Sequence, residues 1–216
     1  MTEPDVALTD YALAVECALL ARLVWRSGAA SSRFRAPFAA FFASIGASAL
    51  AGGTVHGFFL DPASAGHQWL WPATLLGIGV TAASAWIAGA RMLFGVRLAR
   101  AIACAAAWGF AAYAALVLGG VQAFRVAVFF YLPAALFLTV AHAVRFARTR
   151  AREIGIGLAG LGLSFVAAIA QQARVALHPI YFTHNAVYHL LQGVALFLLF
   201  QAARSLVRGE AANGDI

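Results

Sequence analysis

Asp10, His56 and His189 have the side-chain types and the placement to do chemistry together. Each falls a few residues inside a long apolar run, roughly 6–9 Å from its end at a helical rise of 1.5 Å per residue. Neutral imidazoles plus a carboxylate are the usual ligands of a catalytic Zn²⁺, which keeps one position open for water. His56 lies in Gly52-Gly53-Thr54-Val55-His56-Gly57, where glycines clear space beside the imidazole. On the last apolar run Asn185, His189 and Gln192 recur at i, i+4 and i+7, a polar stripe on one helix face. Glu16 lies deeper than Asp10 and, six residues on, points to a different face.

Each of these residues also has an ordinary role. A lone intramembrane His is commonly a hydrogen-bonded packing residue, and Asp10, after Thr9 near a helix start, suits the macrodipole there. Arg125 and Arg174 can neutralise acids or hold a lipid phosphate, and His142 lies close to an arginine cluster. Gln122, Gln171, Gln172 and His184 fall in the same half of the chain's apolar runs as Asp10, His56 and His189; Asp61 and His67 lie in the connection after His56.

The elements that must position these groups are membrane-spanning helices. Cutting the apolar runs at charges, Gly/Pro points and polar turns gives seven spans at 6–26, 37–60, 68–90, 97–118, 122–145, 153–177 and 183–205, each long enough for a core of ~30 Å. The predicted fold is all-α, one seven-helix transmembrane domain over 1–208 followed by a disordered tail at 209–216. Arginines mark alternate connections: Arg26, Arg33 and Arg35, then Arg91, Arg97 and Arg100, then Arg145, Arg148, Arg150 and Arg152, with Arg204 and Arg208 near the end. The opposite connections, 61–67, 119–121 and 178–182, contain none. Basic residues in short loops stay on the cytoplasmic side, so the N-terminus is expected outside and the C-terminus inside. The polar cluster then lies in the outer half of the bundle.

Composition supports this reading. The 216 residues are 63% hydrophobic and 11% charged, with a mean hydropathy of +0.84, beyond the range of soluble domains. All 15 basic residues are Arg. Without a Lys amine, no retinal or pyridoxal Schiff base can form. The +7 net charge is explained by topology and lipid headgroups, and no nucleic-acid partner is expected. Cys17 and Cys104 fall inside spans and lack CxxC spacing. An acidic start, Glu3 and Asp5, argues against a cleavable signal peptide. The GC-rich style of composition points to a multi-pass protein of a bacterial inner membrane. Membrane lipids are the expected partners.

The placement of His56 and of His189 resembles that in a superfamily of seven-span membrane hydrolases that includes the alkaline ceramidases and the progestin/adiponectin-type receptors. Those proteins carry a Ser four residues before a His on an early helix, an acid shortly after, and an HxxxH pair on the last helix, together holding zinc. Here Gly52 precedes His56 at the Ser position and Asn185 precedes His189 at the first His position, with His184 one residue away, about 100° round the helix. The resemblance implies a Zn²⁺ held by His56 and His189 with Asp10, His67 or Asp61 completing the set, and a carboxylate, Asp10 or Glu16, accepting the proton of metal-bound water. The expected substrate is a lipid amide or ester, with His184, Asn185, Gln192, Arg125 and Arg174 around it. Two alternatives stand beside it: a non-enzymatic sensor, lipid-binding protein or small-molecule transporter, favoured by Asn185, and a b-type haem protein with His56 and His189 as axial ligands.

Overall fold

A computed structural model describes residues 1–28 and 31–213. Seven helices follow one another: α1 (Pro4–Trp25), α2 (Arg35–Phe58), α3 (Ala65–Leu93), α4 (Val96–Leu118), α5 (Phe124–Thr149), α6 (Arg152–Gln172) and α7 (His184–Asn213). Six of them, α2 to α7, are long and apolar enough to cross a membrane, which makes this a multi-pass integral membrane protein. At 22 residues α1 has comparable length, about 33 Å at 1.5 Å per residue. With Asp5, Asp10, Glu16 and Arg22 it carries more charged residues than any other of the seven helices.

Local chemistry sets the helix ends. Pro4 occupies the first turn of α1, where its missing N–H costs nothing, and Asp5 complements the positive end of the dipole. Ser64 caps α3, its hydroxyl accepting from the His67 amide at 3.3 Å. The tight α4–α5 turn at Gly119-Gly120-Val121 uses Gly120 at φ +100°, and its amides return to the Ala115, Val117 and Leu116 carbonyls. α6 stops at Gln172, five residues before the expected end at 177. Arg174 takes a left-handed φ of 53°, and the Val175 amide closes back on the Ala170 carbonyl. That stop carries no Gly signal, because Arg occupies the position Gly usually fills. α7 continues to Asn213, beyond the expected span end at 205 and into the stretch read as a tail; 214–216 lie outside the described residues.

Packing order decides which side chains can meet. α1 lies between α2 and α7; α2 packs on α3, α3 on α5, α5 on α6 and α6 on α7, closing a ring, while α4 rides outside against α3. Accordingly α4 buries only Ala99, Tyr113 and Val117. Tyr113 anchors it, donating to the Leu75 carbonyl at 3.0 Å and stacking on Phe130 at 4.4 Å. Small residues let the other helices close. A Cβ on Gly46 would lie 3.1 Å from Cys17 Cβ, one on Gly53 2.7 Å from Asp10 Cβ, and one on Gly57 3.3 Å from Ala7 Cβ, so this glycine row forms the α1–α2 seam. The larger apolar cluster, with Phe38, Phe42, Leu138 and Leu199, fills the ring toward the arginine-rich end.

Candidate functional site

The start of α1 ties the opposite end of the bundle together. The Thr2 and Glu3 amides donate to the Gly57 and His56 carbonyls at 3.0 and 3.2 Å, satisfying the last turn of α2. Asp5 Oδ2 accepts from the Thr183 amide at 2.9 Å and from its hydroxyl at 2.7 Å, fixing the entry to α7. α1 is thereby pinned to both helices that carry the candidate histidines.

Each histidine meets a carboxylate of α1. Glu3 Oε2 lies 2.5 Å from His56 Nδ1, with both side chains partly exposed. Seven residues further along the same face of α1, about 10 Å deeper, Asp10 Oδ1 lies 3.3 Å from His189 Nε2, both largely buried. The other imidazole nitrogen, Nδ1, is 3.0 Å from the Thr9 hydroxyl oxygen. That hydroxyl is also 2.8 Å from the Asp5 carbonyl. A helical Thr gives its one proton to such a carbonyl, so its lone pair accepts from His189 Nδ1–H. With Nδ1 protonated, one shared proton fits between Nε2 and Oδ1 in an overall neutral pair: on Asp10 beside a neutral imidazole, or on His189 beside a carboxylate. Oδ2 of Asp10 faces α2 and α3, within 3.9 Å of where a Gly52 Cβ would stand and next to Thr74. Gly52 leaves room there, while Gly53 lets Asp10 Cβ close on α2.

Further along α7, Gln192 is buried, and among the described residues its Oε1 has no hydrogen-bond partner. Tyr188 sets its ring edgewise to His189 at 5.5 Å. Glu16 points at α7, its Oε2 2.8 Å from the Cβ position of Gly193, so a side chain there would push the carboxylate aside.

The remaining candidates stand apart from this centre. His67 holds the Phe59 carbonyl at 2.9 Å through Nδ1 and stacks on Trp71. Asp61 accepts from the Ala63 amide at 2.9 Å and shapes the α2–α3 turn. Asn185 accepts from Gln171 at 3.1 Å. His184 opens α7, and Arg125 and Arg174 are exposed. His142, fully buried on α5, bonds the Leu138 carbonyl at 2.9 Å. Among the described residues no three His, Cys, Asp or Glu side chains stand together as a metal site. Sequence reasoning missed Glu3 and Thr9 as partners; the only available signal was that Glu3 and Asp10 share a helix face.

No curated protein matches this sequence. Residues 6–208, essentially the whole bundle, match a family of unknown function, DUF6962, and the chain belongs to that family.

Proposed function

We propose that this is a non-enzymatic membrane protein that binds or carries a small polar ligand or lipid headgroup, with the proton shared by Asp10 and His189 linked to occupancy. The carrying observation is the closed geometry of that pair: Nε2 faces Asp10 at 3.3 Å and Nδ1 is held by Thr9. A ligand charge arriving nearby changes which partner holds the proton or whether a second is bound, so occupancy and protonation are coupled. Gln192 adds a buried acceptor with no donor among the described residues, and a hydrogen bond from a ligand to it would be worth about 1–3 kcal/mol. In this reading α1 is the seventh span, its acids paired or tucked against α7. The arginine-free connections face outward, and the membrane is a bacterial inner membrane.

Infrared difference spectra between acidic and alkaline buffer test the proton. The expected result is a carboxylic-acid band lost in Asp10→Asn and displaced in His189→Gln. A wild type in which neither variant alters any such band would overturn the reading. Gln192→Leu tests this acceptor: removing an unsatisfied buried acceptor should leave thermal stability in detergent unchanged or raised by about 1 kcal/mol. A loss of 2 kcal/mol or more would mean that the amide is already bonded.

A second reading, a zinc-dependent hydrolase of lipid amides or esters, is favoured by one distance. Two ligands of a tetrahedral zinc at about 2.0–2.1 Å stand about 3.3 Å apart, which is the Asp10 Oδ1 to His189 Nε2 separation. Thr9 on Nδ1 would orient the imidazole in the way that supporting hydrogen bonds orient metal ligands, and the ceramidase-like placement of His56 and His189 agrees. Two donors fit; a third would have to come from His56, about two helical turns outward, so the fit is incomplete. Elemental analysis of folded, zinc-reconstituted protein separates the readings. The binding reading expects no stoichiometric zinc. Near one zinc per chain, lost in both His56→Ala and His189→Ala, would replace it with the hydrolase.

A further inference from the structure

The arginine-rich end of the bundle contains a recess that neither the titratable pair nor topology explains. A cavity of 640 Å³ opens between the α1–α2 connection, the end of α5, the start of α6 and α7, walled by Arg33, Arg145, Thr149 and Ser205, with the buried Phe34 and Leu206 beneath. A second hollow of 470 Å³ shares Ser205 and Gly209 with it and adds Arg204, Arg208 and Glu153. Among the described residues, the two adjoining hollows are lined by Arg145, Arg204 and Arg208, besides Arg33, which lies over the Phe34 ring, and by one carboxylate, Glu153.

We propose that these adjoining hollows are a binding site for a phosphate ester. Guanidinium forks from separate elements match phosphate oxygens bidentately, and the Ser205 hydroxyl supplies a neutral donor, while the Thr149 hydroxyl is turned to the Arg145 carbonyl at 2.9 Å. The volume is that of a small-molecule site. Retention of positive charge on one side of the membrane requires arginines at this end but not a recess among them. Arg97 and Arg100, on the first turns of α4, show the contrast, since both are exposed and wall neither hollow.

Native mass spectrometry of the full chain in detergent provides the test, with phosphatidylglycerol, diacylglycerol and glycerol 3-phosphate as probes and with melting temperatures matched among variants. Saturable binding of phosphatidylglycerol but not diacylglycerol is expected. Arg145→Gln should weaken it about tenfold or more, the effect of losing one charge-assisted hydrogen bond, and Arg145→Lys should recover part of it. Arg97→Gln should change it less than about twofold. Glycerol 3-phosphate binding as tightly as the lipid would assign the same site to a soluble phosphate ester. Equal loss in Arg97→Gln and Arg145→Gln, equal binding of diacylglycerol, or no saturable binding of either phosphate ester would overturn the proposal.

Discussion

His189→Ala is expected to destabilise the bundle by about 3–5 kcal/mol, the usual cost of removing one partner from a buried pair. The variant leaves Asp10, itself 6% exposed, without the group that shares its proton, and removes the ring that fills the α1–α7 contact. Asp10→Ala should cost less, about 1–3 kcal/mol, because what remains is an imidazole that stays neutral, with one nitrogen still on Thr9. Asp10→Leu with His189→Leu should cost less than the sum of the two single leucine variants, since neither polar group is then stranded. Unfolding of the four proteins in mixed detergent gives the coupling directly. Coupling of about 2 kcal/mol is expected; strict additivity would mean that the 3.3 Å approach carries no interaction.

The depth of this pair was readable from sequence and its partnership was not. Counting residues from the ends of the apolar runs puts Asp10, His56 and His189 at one depth, because helical rise is constant; the structure brings Asp10 to His189 but leaves His56 with Glu3, about two helical turns away. Which imidazole meets which carboxylate depends on the order of helices round the ring. Hydropathy does not encode that order. With α1 between α2 and α7, His56 and His189 each turn to a different acid of α1, and Glu3, placed by sequence before the first span, becomes the partner of His56. His67 is lost to the ligand set for a local reason: its ring closes on the Phe59 carbonyl across the α2–α3 turn.

The helices themselves were legible where punctuation is chemical. Gly119-Gly120 ends α4 because only glycine reaches φ +100° without strain, whereas α3 begins at Ala65 behind its Ser64 cap, ahead of the expected start at 68. Where an Arg adopts the left-handed conformation, as Arg174 does after α6, composition gives no warning and the expected span runs five residues too far. At α1 a length that suits a membrane coexists with four charged side chains. Asp10 and Glu16 are both directed at α7, so the contact between α1 and α7 takes up two of these four charges.

Gly160→Ala and Gly162→Ala, two positions apart on α6, should have opposite effects. A Cβ on Gly160 would stand 2.6 Å from the Ala195 carbonyl oxygen and 3.0 Å from the Leu199 amide nitrogen of α7, so backbone, not a flexible side chain, blocks it. A methyl there can be admitted only by moving α6 away from α7, at about 1–3 kcal/mol or more. In a bilayer, where lipid is as apolar as the helix faces, close backbone approach is itself a main source of association, so the loss falls on the contact that closes the ring between α6 and α7. On Gly162 a Cβ meets nothing within 4 Å. There the substitution only restricts the unfolded chain and favours the helix, a gain of up to about 1 kcal/mol. Thermal unfolding of the two variants in one detergent gives the comparison. If both lower the melting temperature equally, α6 and α7 do not close through Gly160.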